Sequence, residues 1–144
     1  MTPLREQIHA VGHEHVSAEH TSTLELTSDD FLTPAGDCIV GIEADCVPAD
    51  FDEEFVAACQ NDDATITIDI EAGEYSDSVT ARGDTALSFE SERSAVIRTS
   101  DYVDDDRTIA VEASGAATDV NRELVAALAD GADLTVTLTV ENSE

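Results

Sequence analysis

The stretch DFDEEFVAAC at residues 50–59 returns as DVNRELVAAL at residues 119–128, and taking the two as one element used twice decides the fold. In each, apolar residues recur at i, i+4 and i+8: Phe51, Phe55 and Cys59, then Val120, Leu124 and Leu128. That spacing is one face of an α-helix. Asp50 and Asp119 stand where a helix N-cap is expected. Just upstream, VGIEA at 40–44 matches IAVEA at 109–113, and just downstream ITIDIE at 66–71 matches VTLTVE at 136–141. Nearer the N-terminus, GHEHVSAEH at 12–20 matches GDTALSFES at 83–91, with Gly12 on Gly83, Ser17 on Ser88 and Glu19 on Glu90. Ile8 and Ala10 meet Val79 and Ala81, and Asp30-Phe31 meets Asp101-Tyr102. The slips in register between these blocks fall in polar loops.

Period-two alternation marks Ile8–Ala10, Val16–Ala18, Leu24–Leu26 and Val40–Ala44 as strands, with Val79–Ala81, Leu87–Phe89, Ala95–Ile97 and Ile109–Ala113 as their counterparts. The polar turns HTST and SERS precede Leu24 and Ala95. Ile66–Ile70 and Leu134–Val140 close each unit after its helix. The expected fold is α+β and mostly β, an internally duplicated β-β-β-α-β unit. Repeat 1 spans about 7–74 and repeat 2 about 78–144 of the 144 residues. A unit of roughly 70 residues has a marginal core by itself. The two are therefore expected to form a single domain over 1–144, a pseudo-twofold barrel or sandwich with two helices.

The charge is extreme. Asp and Glu number 33, Lys and Arg number 6, and the net charge is −27. All six cations are arginine. Such self-repulsion opposes a compact state at low ionic strength, whereas at 1 M salt the Debye length falls to about 3 Å. The acids are spread along the chain rather than gathered in a block, which points to life at high KCl or NaCl rather than to a nucleic-acid mimic or an acidic tail. Acidity of this kind does not exclude binding RNA or DNA. No apolar stretch reaches the roughly 18 residues that cross a membrane, and MTPLREQIHAVG lacks the apolar middle of a signal peptide. Three cysteines without paired spacing fit a reducing cytoplasm.

Reactive side chains divide unevenly between the halves. His9, His13, His15, His20, Cys38, Cys46 and Cys59 lie in the first, and five of the six arginines in the second. His13-Glu14-His15 on a strand would put two imidazoles on one face about 6–7 Å apart, a spacing that suits Zn²⁺, with His9, Asp37 or a glutamate as third ligand. Period two places His20 on the other face. Cys38, after Gly36-Asp37, is a candidate nucleophile if a histidine contacts it, although parity puts it inward with Val40, Ile42 and Ala44, where a cysteine acts as a small hydrophobe. His13, His20, Asp37 and Cys38 are the catalytic candidates, and His13 and His15 the metal candidates. Arg82, Arg93, Arg98 and Arg107 form a candidate anion or nucleic-acid surface, set against simple pairing with Glu90, Glu92 and Asp101. There is no aromatic platform for stacking bases, which weighs against a single-strand-binding reading.

Residues 12–45 resemble an archaeal family, domain of unknown function 371. The shared features are His13, His20, Glu25-Leu26-Thr27, Leu32-Thr33, Gly36-Asp37-Cys38-Ile39 and Ala44-Asp45, and Ile97 through Asp119 look like that family as well. The resemblance implies a stand-alone archaeal protein, and the acid load with Asp45-Cys46 suggests a haloarchaeal member. It brings no catalytic residues with it. The function expected is therefore a small cytosolic binding module, not an enzyme, for a protein or ribonucleoprotein partner. No cofactor is expected beyond the salt. The rivals are a metal-binding protein or small enzyme using the His, Cys and Asp residues of repeat 1, and a purely structural homodimer.

Overall fold

The computed structural model describes residues 4–142, so the last two residues of the expected second repeat lie outside the described residues. The order is β1 (Leu4–Val11), β2 (Thr23–Thr27), β3 (Ile39–Gly41), α1 (Glu53–Cys59) and β4 (Ala64–Ala72). Then come β5 (Tyr75–Arg82), β6 (Ser94–Arg98), β7 (Thr108–Ala110), α2 (Arg122–Ala129) and β8 (Asp133–Asn142). Strand, strand, strand, helix, strand thus runs through twice. A one-turn 3-10 segment leads into each helix, Pro48–Asp50 and Ala117–Asp119.

The strands form two four-stranded sheets, β1-β8-β4-β5 and β3-β2-β6-β7. In the first sheet, strands from the two halves of the chain alternate. Its central pair, β4 and β8, runs antiparallel with Ile66 opposite Val140, Ile68 opposite Leu138 and Ile70 opposite Val136. Every second residue of β4, from Ala64 to Ala72, faces the core and is buried. The opposite face carries Thr65, Thr67, Asp69 and Glu71. This is the alternation that an antiparallel sheet with one wet face requires. In the second sheet β2 pairs antiparallel with β6, Glu25 opposite Val96, and β3 and β7 add in parallel at the two edges. Both helices pack on strands of the first sheet.

The mostly-β α+β class with two helices stands, and the barrel option is corrected. The sheets meet at both edges only through single antiparallel bridges, Val11 with Ile42 and Arg82 with Val111. Each bridge has two backbone hydrogen bonds, 2.9 and 2.8 Å in the first and 2.9 and 3.0 Å in the second. At three residues each, β3 and β7 are too short to carry a ladder round the corner.

Val16–Ala18 and Leu87–Phe89 are not strands. Ala18 has φ 47° and Phe89 φ 55°, a left-handed conformation incompatible with extended backbone. Val16 and Leu87 are nevertheless buried, so the alternation reports a buried crossing loop. The helix caps also move. Asp52 accepts from Glu54 N at 2.9 Å and Asn121 from Glu123 N at 2.8 Å. Asp50 and Asp119 instead accept from Val47 N and Ala116 N, closing the 3-10 turns. Asp50 and Asp119 are taken up by the 3-10 turns, so the helix cap falls two residues later, beyond buried Phe51 and Val120.

Loops from one half pack on helices of the other. Gly12 sits against the end of α2 and Gly83 against the end of α1. A Cβ on Gly12 would lie 2.0 Å from the Leu128 carbonyl oxygen, and one on Gly83 2.1 Å from that of Cys59. Overpacking against backbone cannot be relieved by a rotamer change. Gly12→Ala and Gly83→Ala should each lower stability by about 2–3 kcal/mol, read by chemical denaturation at constant high salt. A change below about 0.5 kcal/mol, the scale of an ordinary surface substitution, would show that these loops do not pack as described.

Candidate functional site

The outer face of the second sheet holds the candidate site. Leu24, Leu26, Ala95 and Ile97 point into the main core. Thr23, Glu25, Val96 and Arg98 therefore point outward. A cleft of about 350 Å³ lies there, lined by His20, Ser22, Thr23, Glu25, Cys38, Val96, Arg98 and Arg107. Both halves contribute, because β2 and β6 are the central pair of that sheet.

His20 is held by the chain around it. Its backbone N–H donates to the Asp37 carbonyl at 3.2 Å, and its carbonyl accepts from Thr118 N at 3.0 Å. The ring Nδ1 accepts from Thr23 N at 3.1 Å and Ser22 N at 3.2 Å. A backbone N–H can only donate, so Nδ1 keeps its lone pair and the ring proton of neutral His20 sits on Nε2. His20 thus offers a donor. Ser91, at the matching place in the second half, has the same capping role: its Oγ accepts from Arg93 N and Ser94 N, each at 3.2 Å.

The arginines of the cleft differ in commitment. Arg98 Nε donates to Thr108 Oγ1 at 2.8 Å, and its Nη2 binds the Asp105 carboxylate. Burial pushes the Asp105 carboxyl up, but hydrogen bonds from the Thr108 side chain and backbone and from Arg98 outweigh it and hold the acid below its usual range. Arg107 is ion-paired to Glu25 and Asp105 at 3.8 Å each and is 43% exposed. At that distance neither carboxylate is hydrogen-bonded to it, so its fork can turn to an incoming anion. Glu25 is occupied from the other side by the Cys38 thiol, which donates to it at 3.4 Å.

A family model described as Domain of unknown function (DUF371) matches residues 8–141. A protein of Methanocaldococcus jannaschii, named only as uncharacterized, is 41% identical over 127 residues, spanning 88% of this chain and 93% of that protein. The chain belongs to the DUF371 family.

In this DUF371 member the sequence candidates are partly gathered and partly dispersed. His20, Cys38, Arg98 and Arg107 come together in the cleft. Asp37 supports it through its backbone carbonyl, which also accepts from Glu19 N at 3.0 Å. Cys38 is corrected from inward to cleft-facing, because the β2–β3 register shifts at Glu25 and Leu26. His13 and His15 lie elsewhere, on the loop after Gly12. Their rings are 5.1 Å apart, and His13 Nδ1 accepts from His15 N at 3.0 Å. That bond occupies the His13 Nδ1 lone pair. His9 faces Asp45 at 3.3 Å. Among the described residues no three His, Cys, Asp or Glu side chains are placed to share a metal ion.

Arg82 and Arg93 stand apart from the cleft in ion pairs. Arg82 binds Glu112 and Asp84, and Arg93 holds the Asp29 carboxylate through Nε and Nη2, the latter at 2.7 Å. Arg122, not singled out from sequence, donates to the Ala18 and Ala117 carbonyls at 3.1 and 2.8 Å and ties the two halves together. Its position at the start of a helix was the available signal. Glu25, Ser22 and Thr23 gave none beyond the polar alternation of β2.

Burial, then the charge of Glu25, pushes the Cys38 thiol up to about 11. A thiol with such a pKa is a poor nucleophile at neutral pH. Alkylation of Cys38 by iodoacetamide at pH 7.5, followed by peptide mass spectrometry, should run about 50- to 100-fold slower in the folded protein than in urea, since its thiolate is about two pH units harder to form. The folded rate should climb as the pH rises toward 11. A folded rate equal to or above the unfolded one would contradict this picture of the cleft.

Proposed function

We propose that this protein is a binding module, not an enzyme, and that its cleft takes an anionic group of a macromolecular partner. The observation that carries this is the convergence of His20, Arg98 and Arg107 on one face of a chain with six cations and a net charge of −27. The donors left for a ligand are the His20 Nε2–H and the Arg107 fork, since the Ser22 and Thr23 hydroxyls are engaged by His20 Nδ1. Their acceptors, Glu25 and Asp105, are already engaged by Cys38 and Arg98. Elsewhere Arg82 and Arg93 hydrogen-bond their acids directly, whereas the Arg107 ion pairs are longer, at 3.8 Å. The test is affinity capture from a cell extract in molar KCl, with and without nuclease, using the wild type and Arg107→Glu. An anionic partner, nucleic acid or acidic protein, should be retained by the wild type and lost by the variant. Retention of the same species by both, or of nothing by either, would sink the reading.

The proposal includes the setting. We read the acid load as adaptation to molar salt in the cytoplasm of a haloarchaeon, and the two halves as copies of one ancestral unit. The matched left-handed pairs Ala18 and Phe89, and Glu43 and Glu112, support the second point. So do the matched close approaches of Gly12 and Gly83. Moving from 1 M to 0.1 M KCl lengthens the Debye length from about 3 to about 10 Å and exposes the acids to one another. The thermal midpoint should fall by ten degrees or more on the order expected for a few kcal/mol in a domain of this size. An unchanged midpoint would contradict the salt-adaptation reading.

A further inference from the structure

Two large apolar side chains stay exposed among the described residues, Phe31 at 57% and Tyr102 at 48%. They hold matching places on the loops from β2 to β3 and from β6 to β7. Tyr102 is tied to the cleft. The Arg98 guanidinium lies over its ring, 4.9 Å from the centroid, and Arg98 also lines the cleft. Because Thr108 and Asp105 fix Arg98, the ring rests on a rigid cation. Asp105 lies 3.8 Å from Arg107, so Tyr102, Arg98, Asp105 and Arg107 form one continuous row. At the place of Arg98 in the first half stands Thr27, so Phe31 has no such cation beneath it.

We propose that the cleft binds single-stranded nucleic acid, with one base stacked on Tyr102 and the adjoining phosphate held by Arg107 and the His20 Nε2–H. This rests on the binding-module reading above and names its partner. An aromatic ring beside an exposed, loosely paired guanidinium is a paired requirement: a planar face for the base and a fork for the phosphate. Phosphate contacts weaken steeply with salt, whereas stacking buries apolar surface and does not. In molar salt the ring therefore supplies the larger share of affinity. A duplex, whose bases are already stacked and paired, offers nothing to Tyr102.

The test is fluorescence anisotropy of the full chain in molar KCl. The probes are labelled oligo-uridine and oligo-thymidine of about ten nucleotides, with a duplex of equal length and inorganic phosphate as comparisons. Single strands should bind and the duplex should not, and phosphate alone should compete weakly. Tyr102→Ala should weaken binding about tenfold or more, by the usual scale of base–aromatic stacking. Tyr102→Phe and Phe31→Ala should leave it unchanged, and Arg107→Gln should weaken it. Circular dichroism of these surface variants should match the wild type. If single strands fail to bind while capture still retains an Arg107-dependent partner, the nucleic-acid proposal falls and the binding-module reading stands. If both fail, both fall. Binding indifferent to Tyr102→Ala, or lost equally in Phe31→Ala, overturns the stacking position. A sedimenting dimer dissolved by Tyr102→Ala would assign the ring to self-association instead and overturn the proposal.

Discussion

The pairing of β4 with β8 is the constraint on which the remainder depends. Each strand comes from a different half of the chain, and each presents its buried alternate residues to the same core. The pairing then spreads outward in alternation, with β1 of the first half on β8 and β5 of the second on β4. Loops follow the same rule. Gly12 of the first half meets α2, and Gly83 of the second meets α1. Ser91 accepts from Ala49 N at 3.0 Å, and His20 accepts from Thr118 N at 3.0 Å. Cutting the chain between β4 and β5 would leave each half with apolar faces and backbone groups that water must cover, which is costly for both.

The same interleaving builds the cleft. Once β2 and β6 are neighbours, the outward residues of one half lie beside those of the other. Thr23 then stands opposite Arg98, and Glu25 opposite Val96. A site with a donor histidine from one side and two arginines from the other needs no long-range loop. Charge decides how it behaves. Arg98 is balanced by Asp105, while Arg107 meets its acids only at 3.8 Å. In a chain of −27, a patch that is merely close to neutral is where an anion meets the least repulsion.

The sequence made the elements of this fold legible wherever burial and backbone agreed. Ile66, Ile68 and Ile70 alternate because β4 is a strand with one wet face, and Phe55 and Cys59 share a helix face because α1 packs by it. Legibility failed where burial came without a strand, as at Val16–Ala18 and Leu87–Phe89. Left-handed backbone at Ala18 and Phe89 leaves no signature in an alanine or a phenylalanine. For the cleft, residue type pointed to His20, Cys38, Arg98 and Arg107 separately, in two rival hypotheses. Their meeting depends on β2 pairing with β6 across about seventy residues, which no local pattern encodes. Tyr102 was overlooked for the same reason: an isolated aromatic acquires meaning only from the cation beneath it.

The most direct measurement of the central claim is to express the two halves, divided between Ala72 and Tyr75, as separate chains and follow each by circular dichroism and thermal melting at molar salt. The interleaved fold predicts that neither half melts cooperatively alone and that an equimolar mixture regains the strand signal and transition of the intact chain. A half that folds and melts cooperatively without the other would contradict it.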